Sequence, residues 1–412
     1  MLKSVSIFFF YGIFIKNILL LVLPILGLIT VSCSSGNSST ADPNTQVQTK
    51  LKGISQSFLN TYSVGTHVSA LPILAQCGGK PPVYVYNGTM SYDDPRKITE
   101  SSIFQIGSIT KSFISVVLLQ LAAESTYSYN LDQPIGQWLT NIPTSWQSIT
   151  TRQLMHMVSG IPSYTTDQSF MQTYVYDMPY AYHDLEFFAL SQANKSVLFA
   201  PGENYDYSNT NYTLMGMLIE SITSRSVYQE VENRIILPLG LEHTYFPDYL
   251  PELVVNPEDL VSGYFTRESV IDNVRFWTLS PMNSAGGVIS NINDVNTYVY
   301  NLYNPGKLLN QEQLQQLESL VSLKTGQAVG FLSESNPLGF GLGVFAAYIE
   351  SQQFYTYTGE TLGFKFTYYY NPQNKNMVVY TANAGGGVSE SYNTAYSLLG
   401  IDIMAYLESN CN

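Results

Sequence analysis

Phe104-Gln105-Ile106-Gly107-Ser108-Ile109-Thr110-Lys111 opens the strongly apolar stretch Phe113 to Ala123. The apolar stretch reads as a helix. Residues three apart on a helix share a face, so the Lys111 amine can lie beside the Ser108 hydroxyl. Burial lowers the pKa of an ammonium, and a helix N-terminus disfavours positive charge, so a neutral Lys111 could take the Ser108 proton. Ser-x-x-Lys is a short pattern, and roughly one is expected by chance in a chain of this length. The sequence holds one, and it also reads as a helix start with Ser as the cap and Lys in solvent.

A second segment adds to the first. Tyr207-Ser208-Asn209 follows Pro201-Gly202-Glu203 and leads into the apolar helix Leu214 to Ile219. From that loop a phenol could relay the proton between Ser108, Lys111 and a leaving group, and the Asn209 amide could hold a substrate carbonyl. Tyr369-Tyr370-Asn371 has the same pattern but reads as plain strand. Other chemistries find little support. His67, His156, His183 and His243 lack the close spacing of a metal site, and three Cys are too few for a structural zinc. No Gly-x-Ser-x-Gly elbow and no phosphate-cradling Gly-x-x-x-x-Gly-Lys occurs. No metal and no cofactor is expected.

Composition narrows the class further. The chain has 412 residues, 18 Lys plus Arg against 31 Asp plus Glu, and a formal net charge of -13. A polyanion would be repelled, so nucleic acid is excluded as a partner. Hydrophobic residues make up 45%, which argues against disorder, while charged residues are only 12% and 32 Tyr enrich the aromatics. No bilayer-length apolar run follows residue 33.

Residues 1–33 read as an address. Lys3 and Lys16 flank an aromatic stretch, and Ile18 to Val31 run apolar into Ser32-Cys33. The pattern is similar to a bacterial lipoprotein signal, in which cleavage exposes Cys33 for lipidation; Thr30 stands where Leu is usual. An uncleaved anchor helix and an ordinary secretory signal are the alternatives, and all three place the domain outside the cytoplasm. Residues 34–48, rich in Ser, Thr, Asn and Pro, read as a flexible tether. Cys77 and Cys411 then remain as a possible disulfide in an oxidising compartment, with two unpaired thiols as the alternative.

From residue 49 onward the chain reads as one domain. Lys50 to Tyr62 is a helix, and Thr66 to Leu74 and Pro82 to Met90 are β-rich. The middle is mainly helical up to about residue 330. Gly339 to Ile349, Phe354 to Tyr357, Phe364 to Tyr370 and Met377 to Thr381 are short aromatic strands. Tyr392, Ala395, Leu399 and Ile403 recur at helical spacing and give a closing helix.

In this order the segments resemble the serine hydrolases of the class C β-lactamase and D-alanyl-D-alanine carboxypeptidase family, which includes esterases and D-aminopeptidases. Leu154-Met155-His156-Met157-Val158-Ser159-Gly160-Ile161-Pro162 is similar to the family's Leu-Leu-x-x-Thr-Ser-Gly-Ile-Pro segment. Pro238-Leu239-Gly240-Leu241 resembles its Pro-Leu-Gly-Met turn, and Ala285-Gly286-Gly287-Val288-Ile289-Ser290 its Ala-Gly-Gly-Leu-x-Ser segment. Tyr357-Thr358-Gly359-Glu360 stands at the third motif. The resemblance covers roughly residues 50 to 408.

The resemblance implies an α+β fold. An antiparallel sheet from both chain ends (about 49–125 and 335–412), flanked by helices, would carry a mainly helical insert (about 126–334). It implies Ser108 as nucleophile, Lys111 as base, Tyr207 as proton relay and Asn209 as support. The backbone N–H groups of Ser108 and Glu360 would form the oxyanion hole, with Tyr357, Thr358, Gly359 and Glu360 at the substrate. His156 would shape a turn. The third motif usually begins with Lys or His, which helps bind a substrate carboxylate, whereas Tyr357 is neutral. The expected function is therefore an envelope-located serine hydrolase of a small-molecule or peptide ester or amide. A D-alanyl-D-alanine carboxypeptidase, a class C-like β-lactamase and an inactive binding protein are the alternatives. Membrane contact is expected only through the N-terminal anchor, and the sequence does not set the oligomeric state.

Overall fold

A computed structural model describes residues 43–411, apart from residues 178, 248–254, 257 and 268–269. The signal-like residues 1–33, Cys33 included, and tether residues 34–42 lie outside the described part.

Period-2 alternation builds the main sheet. Nine strands run in the order β2-β1-β13-β12-β11-β10-β9-β7-β8. They are β1 (Ile73–Gln76), β2 (Val83–Val85), β7 (Leu320–Ser322), β8 (Ala328–Val329), β9 (Leu338–Phe340), β10 (Phe345–Ile349), β11 (Gln352–Glu360), β12 (Lys365–Tyr370) and β13 (Met377–Ala382). Every pairing is antiparallel. Successive side chains point to opposite faces, so the central strands feed two cores. Tyr355, Tyr357, Phe366, Tyr368, Tyr370, Met377 and Val379 face one layer, and Phe354, Tyr369, Val378, Tyr380 and Ala382 face the other.

The second layer holds helices α1 (Pro43–Thr66) and α5 (Glu390–Asn410), which supply Leu51, Phe58, Tyr392, Tyr396 and Leu407. The first layer holds α2 (Thr110–Ala123), α3 (Asn209–Thr223) and α4 (Ile292–Leu302). Helix α2 is buried on nearly every side, as its composition requires. Phe113 stacks on Tyr298 of α4 at 3.8 Å between centroids. Two further two-stranded ribbons pair β3 (Phe104–Gln105) with β6 (Ile289–Ser290), and β4 (Tyr264–Arg267) with β5 (Val270–Asn273).

Both chain ends build the sheet, and a large, mainly helical segment stands between them. Three details differ from the sequence reading. Helix α1 begins at Pro43, so residues 43–48 are helical and not tether, because Val47 joins the apolar side of α1 and Pro is compatible with a first helical turn. The segment 66–74 is mostly irregular before β1. The middle region is not wholly helical: β7 and β8 extend the sheet beyond β9, because Leu320 and Val321 bury against the same core as α2. Just past β1, Cys77 is bonded to Cys411 at the end of α5, with Cα atoms 5.3 Å apart.

Candidate active site

Gly107 takes a positive φ of 52° and starts a single 3-10 turn, Gly107–Ile109, that leads into α2. The turn holds Ser108 half-buried at the helix entrance. Lys111 lies in the first turn of α2 and is 0% exposed. Its Nζ is 3.0 Å from Ser108 Oγ, 2.7 Å from Asn209 Oδ1 and 2.6 Å from the Ala285 carbonyl oxygen. Among the described residues no carboxylate pairs with it, and burial pulls its pKa well below 10.5. A neutral amine has two N–H bonds and one lone pair. Asn209 Oδ1 and the Ala285 carbonyl can only accept, so they take both N–H groups and leave the lone pair for the Ser108 hydroxyl.

Tyr207 enters from the loop before α3, and its phenol hydrogen-bonds to Ser108. Burial pushes its pKa up to about 12, against the lowering effect of its hydrogen bonds with Ser108 and Tyr357. A buried amine with a lowered pKa can be the base at neutral pH, whereas this phenol stays protonated and can only pass a proton on. The Tyr207 ring lies 4.9 Å from Lys111 Nζ, which further shields the amine from solvent.

Helix α3 places Asn209. Its N–H bonds to Ser163 Oγ at 3.1 Å, and its Nδ2 donates to Thr165 Oγ1 at 2.9 Å. Asn209 Oδ1 thus holds Lys111, and Nδ2 keeps a second N–H beyond the one given to Thr165. The segment 154–162 braces α3 from below: Ser159 Oγ donates to Asn211 Oδ1 at 2.8 Å. His156 in that segment is buried, with Nδ1 3.4 Å from the Phe340 carbonyl oxygen, and desolvation lowers its pKa to about 4. It sits with the turn and does not reach Ser108.

Strand β11 closes the other side. A Cβ on Gly359 would lie 1.9 Å from the Ile106 carbonyl oxygen and 2.9 Å from Ser108 N. A Cβ on Gly107 would lie 2.6 Å from Glu360 N. Only glycine at both positions lets the backbones approach this closely, and that approach puts the Ser108 and Glu360 N–H groups side by side. The face of β11 carrying Tyr357 and Gly359 is the one turned to Ser108. Thr358 and Glu360 point the other way: Thr358 Oγ1 is 2.9 Å from Thr367 Oγ1, and the Glu360 carboxylate pairs with Lys365. Their side chains are therefore not at the site, and Glu360 is present there through its backbone.

Tyr357 is 1% exposed. Its hydroxyl lies 3.0 Å from that of Tyr207, and its ring packs edge-on against Phe345 at 4.9 Å. Ala285 as a Lys111 partner, with Ser163 and Thr165 as partners of Asn209, was not singled out by sequence. Ala285 opens a segment that the family resemblance had marked, and Ser163 directly follows another.

The family model described as Beta-lactamase matches residues 73–400. The chain belongs to the beta-lactamase family. Among curated relatives in this family, Protein flp of Staphylococcus aureus (strain NCTC 8325 / PS 47) is 27% identical over 182 residues, which is 44% of this chain and 35% of that protein. Penicillin-binding protein 4* of Bacillus subtilis (strain 168) is 26% identical over 180 residues, 42% of this chain and 37% of that protein. The chain thus spans only 35% and 37% of the lengths of these relatives. Among solved structures, the D-stereospecific amidohydrolase from a Streptomyces species matches with a TM-score of 0.67 and 26% identity, covering 81% of this chain and 94% of that one. The D-amino acid amidase from Ochrobactrum anthropi SV3, complexed with L-phenylalanine, matches with a TM-score of 0.71 and 22% identity over 90% and 99%. The second likeness is one of fold.

Proposed function

We propose that this chain is an extracytoplasmic serine hydrolase that cleaves a small ester or amide through an acyl-enzyme on Ser108. The observation that carries the reading is the buried Lys111 amine, whose two fixed acceptors leave its lone pair facing Ser108 Oγ. Neutral Lys111 takes the Ser108 proton as Oγ attacks the carbonyl carbon. The resulting oxyanion is held by the Ser108 and Glu360 N–H groups. The proton on Lys111 then passes through Tyr207 to the leaving oxygen or nitrogen as its bond to carbon breaks. Water, deprotonated by the same groups, hydrolyses the acyl-enzyme and restores Ser108.

Tyr357 argues for a neutral leaving group over one that bears a carboxylate. It presents a buried phenol, and Lys365, the only cation on β11 and β12, is bound to Glu360 on the opposite face. Peptidase and β-lactamase activity would need a cation that this strand pair does not provide. D-amino-acid amides enter as the amide class because the Streptomyces relative of known structure is a D-stereospecific amidohydrolase. The location outside the cytoplasm, with lipid on Cys33, is supported by the apolar run before Cys33 and by the Cys77–Cys411 bond. Palmitate incorporation that is equal in wild type and Cys33→Ala would remove the lipid anchor from this reading.

The activity is tested with a short-chain nitrophenyl ester and a D-alanyl nitroanilide. We expect turnover of both by wild type, with an initial burst where deacylation is slower, and a loss of at least about a thousandfold in Ser108→Ala. Equal turnover in Ser108→Ala would exclude Ser108 as the nucleophile.

A further inference from the structure

Lys111 becomes an ammonium each time it takes the Ser108 proton, and that charge appears where no carboxylate meets it. The side chain is sealed from solvent, and among the described residues no charged group faces it. Its hydrogen bonds reach only the neutral oxygens of Ser108, Asn209 and Ala285. An ammonium so placed is costly unless other groups hold it. Two aromatic faces remain. The Tyr207 ring centroid lies 4.9 Å from Nζ and the Tyr212 ring centroid 5.4 Å from it. The relay uses the Tyr207 hydroxyl, whereas Tyr212 takes no part in the steps above.

Helix geometry puts Tyr212 in that place. It stands one turn after Asn209 on α3, so the two project from one face, and Ser115 stands one turn after Lys111 on α2. The Tyr212 phenol lies 3.3 Å from Ser115 Oγ and donates to the Met155 carbonyl oxygen at 3.3 Å, which fixes the ring beside the amine. Gly343, with a φ of 82° between β9 and β10, makes the room: a Cβ there would lie 2.7 Å from the Tyr212 hydroxyl and 2.4 Å from Ser115 Oγ. Tyr212 is 0% exposed, and burial raises its pKa, so the phenol stays protonated and the ring is an uncharged π surface.

Resting on the hydrolase reading, we propose that Tyr212 is a further catalytic residue, whose ring face, with that of Tyr207, stabilises the Lys111 ammonium in place of a carboxylate. A π face attracts an ammonium and has little hold on a neutral amine. The stabilisation therefore grows as the Ser108 O–H bond breaks and the new N–H bond forms on Nζ, and it lowers the barrier to acylation. A carboxylate at this position would keep Lys111 protonated in the free enzyme and occupy its lone pair with a proton. The ring leaves the resting amine neutral. The titratable groups around Nζ are the phenols of Tyr212 on α3 and of Tyr207 on the loop before it, with Tyr357 of β11 bonded to Tyr207. Helix α2 and the segment carrying Ala285 present only the Ser108 hydroxyl and a carbonyl.

The test is the pH profile of Ser108 labelling by a fluorophosphonate in wild type, Tyr212→Phe and Tyr212→Leu, with thermal melts alongside. Tyr212→Phe keeps the ring and loses its tether, so the acid limb of its profile should stay in place while the plateau rate falls about twofold. In Tyr212→Leu the limb should move about one pH unit lower, because the ammonium has lost a partner and gives up its proton more readily. Its plateau should fall about fivefold or more, because the proton is harder to place on Nζ. A ring that only filled space would act differently: its removal would admit water and move the limb up toward the ordinary lysine range. Tyr212→Met, which packs adaptably, takes the place of Tyr212→Leu if the melt shows that the leucine variant does not fold. If wild type labels at Ser108 but the limb of the ringless variant stays put or moves up, or if the phenylalanine and ringless variants lose rate equally, the role of the Tyr212 ring is overturned and the hydrolase reading stands. If wild type does not label at Ser108, the hydrolase reading falls and the role of Tyr212 falls with it.

Discussion

The hydroxyl of Tyr357 lies 3.0 Å from the hydroxyl of Tyr207, inside a wall of aromatic rings that includes Phe340 and Phe345. A residue at the head of the third motif thus acts on the relay tyrosine. Burial raises the Tyr357 pKa well above 10, and contact with Tyr207 raises it further. The two hydroxyls share one hydrogen bond, which holds Tyr207 Oη in place.

Tyr357→Phe should reduce kcat for a neutral ester about fivefold, the loss of one hydrogen bond of about 1 kcal/mol, with KM little changed. Tyr357→Lys should shift the ratio of kcat/KM toward carboxylate-bearing substrates by about tenfold or more, because a charged hydrogen bond is restored at the leaving-group end. Steady-state kinetics on a nitrophenyl ester, a β-lactam and a D-alanyl-D-alanine peptide check both. An unmoved ratio in Tyr357→Lys would remove Tyr357 from specificity.

Lys111 must be neutral to act, and burial lowers its pKa well below 10.5. The acylation rate should therefore rise with pH through that lowered pKa and reach its plateau well before the ordinary lysine range. Stability carries the same sign. The unfolded chain keeps the Lys111 proton up to pH about 10.4, the folded chain releases it earlier, and so in that window the unfolded state binds more protons and stability rises with pH. Replacing the group by Lys111→Met should flatten this rise. Denaturant midpoints of wild type and Lys111→Met across pH 6 to 10 are the check, and parallel curves would contradict a buried neutral amine.

Gly359→Ala would drive a methyl into the Ile106 carbonyl oxygen and push β11 off Ser108. One oxyanion donor is then displaced, and kcat should fall by about a hundredfold to a thousandfold. A circular-dichroism melt separates this from unfolding. A variant with a wild-type melt and wild-type kcat would show that the Glu360 N–H is not an oxyanion donor.

The Cys77–Cys411 bond ties β1 to the last helix across a sequence separation of 334 residues. Cross-links closing long loops constrain the unfolded chain most, so Cys411→Ala should cost about 2–5 kcal/mol in stability. Activity of the variant at 25 °C should stay near wild type, since neither cysteine is near Ser108 in the fold. Denaturant unfolding with and without reductant makes the comparison.

The local parts of this site were legible in the sequence because their physics is local. Ser108 and Lys111 are one helical turn apart, so spacing alone allows their contact. The meeting of Tyr207 and Asn209 with that pair is tertiary, and only the ordered resemblance to a known family pointed to it. Two features escaped. The Ala285 carbonyl is a backbone acceptor, and no side-chain pattern announces a backbone group that completes a shell around a lysine. The outward direction of the Thr358 and Glu360 side chains depends on which face of β11 meets the nucleophile, and a one-residue change of register would reverse it. Strands β7 and β8 were hidden for a similar reason: they are three and two residues long and gain their stability from the sheet edge beside them.

The central claim is that a neutral Lys111 activates Ser108 for covalent chemistry, and mass spectrometry of the fluorophosphonate-treated protein tests it most directly. Wild type should gain one adduct, mapped to the peptide that contains Ser108. Ser108→Ala should gain none, and Lys111→Ala should be labelled slower by orders of magnitude. An adduct that persists in Ser108→Ala, or labelling at the wild-type rate in Lys111→Ala, would contradict the account.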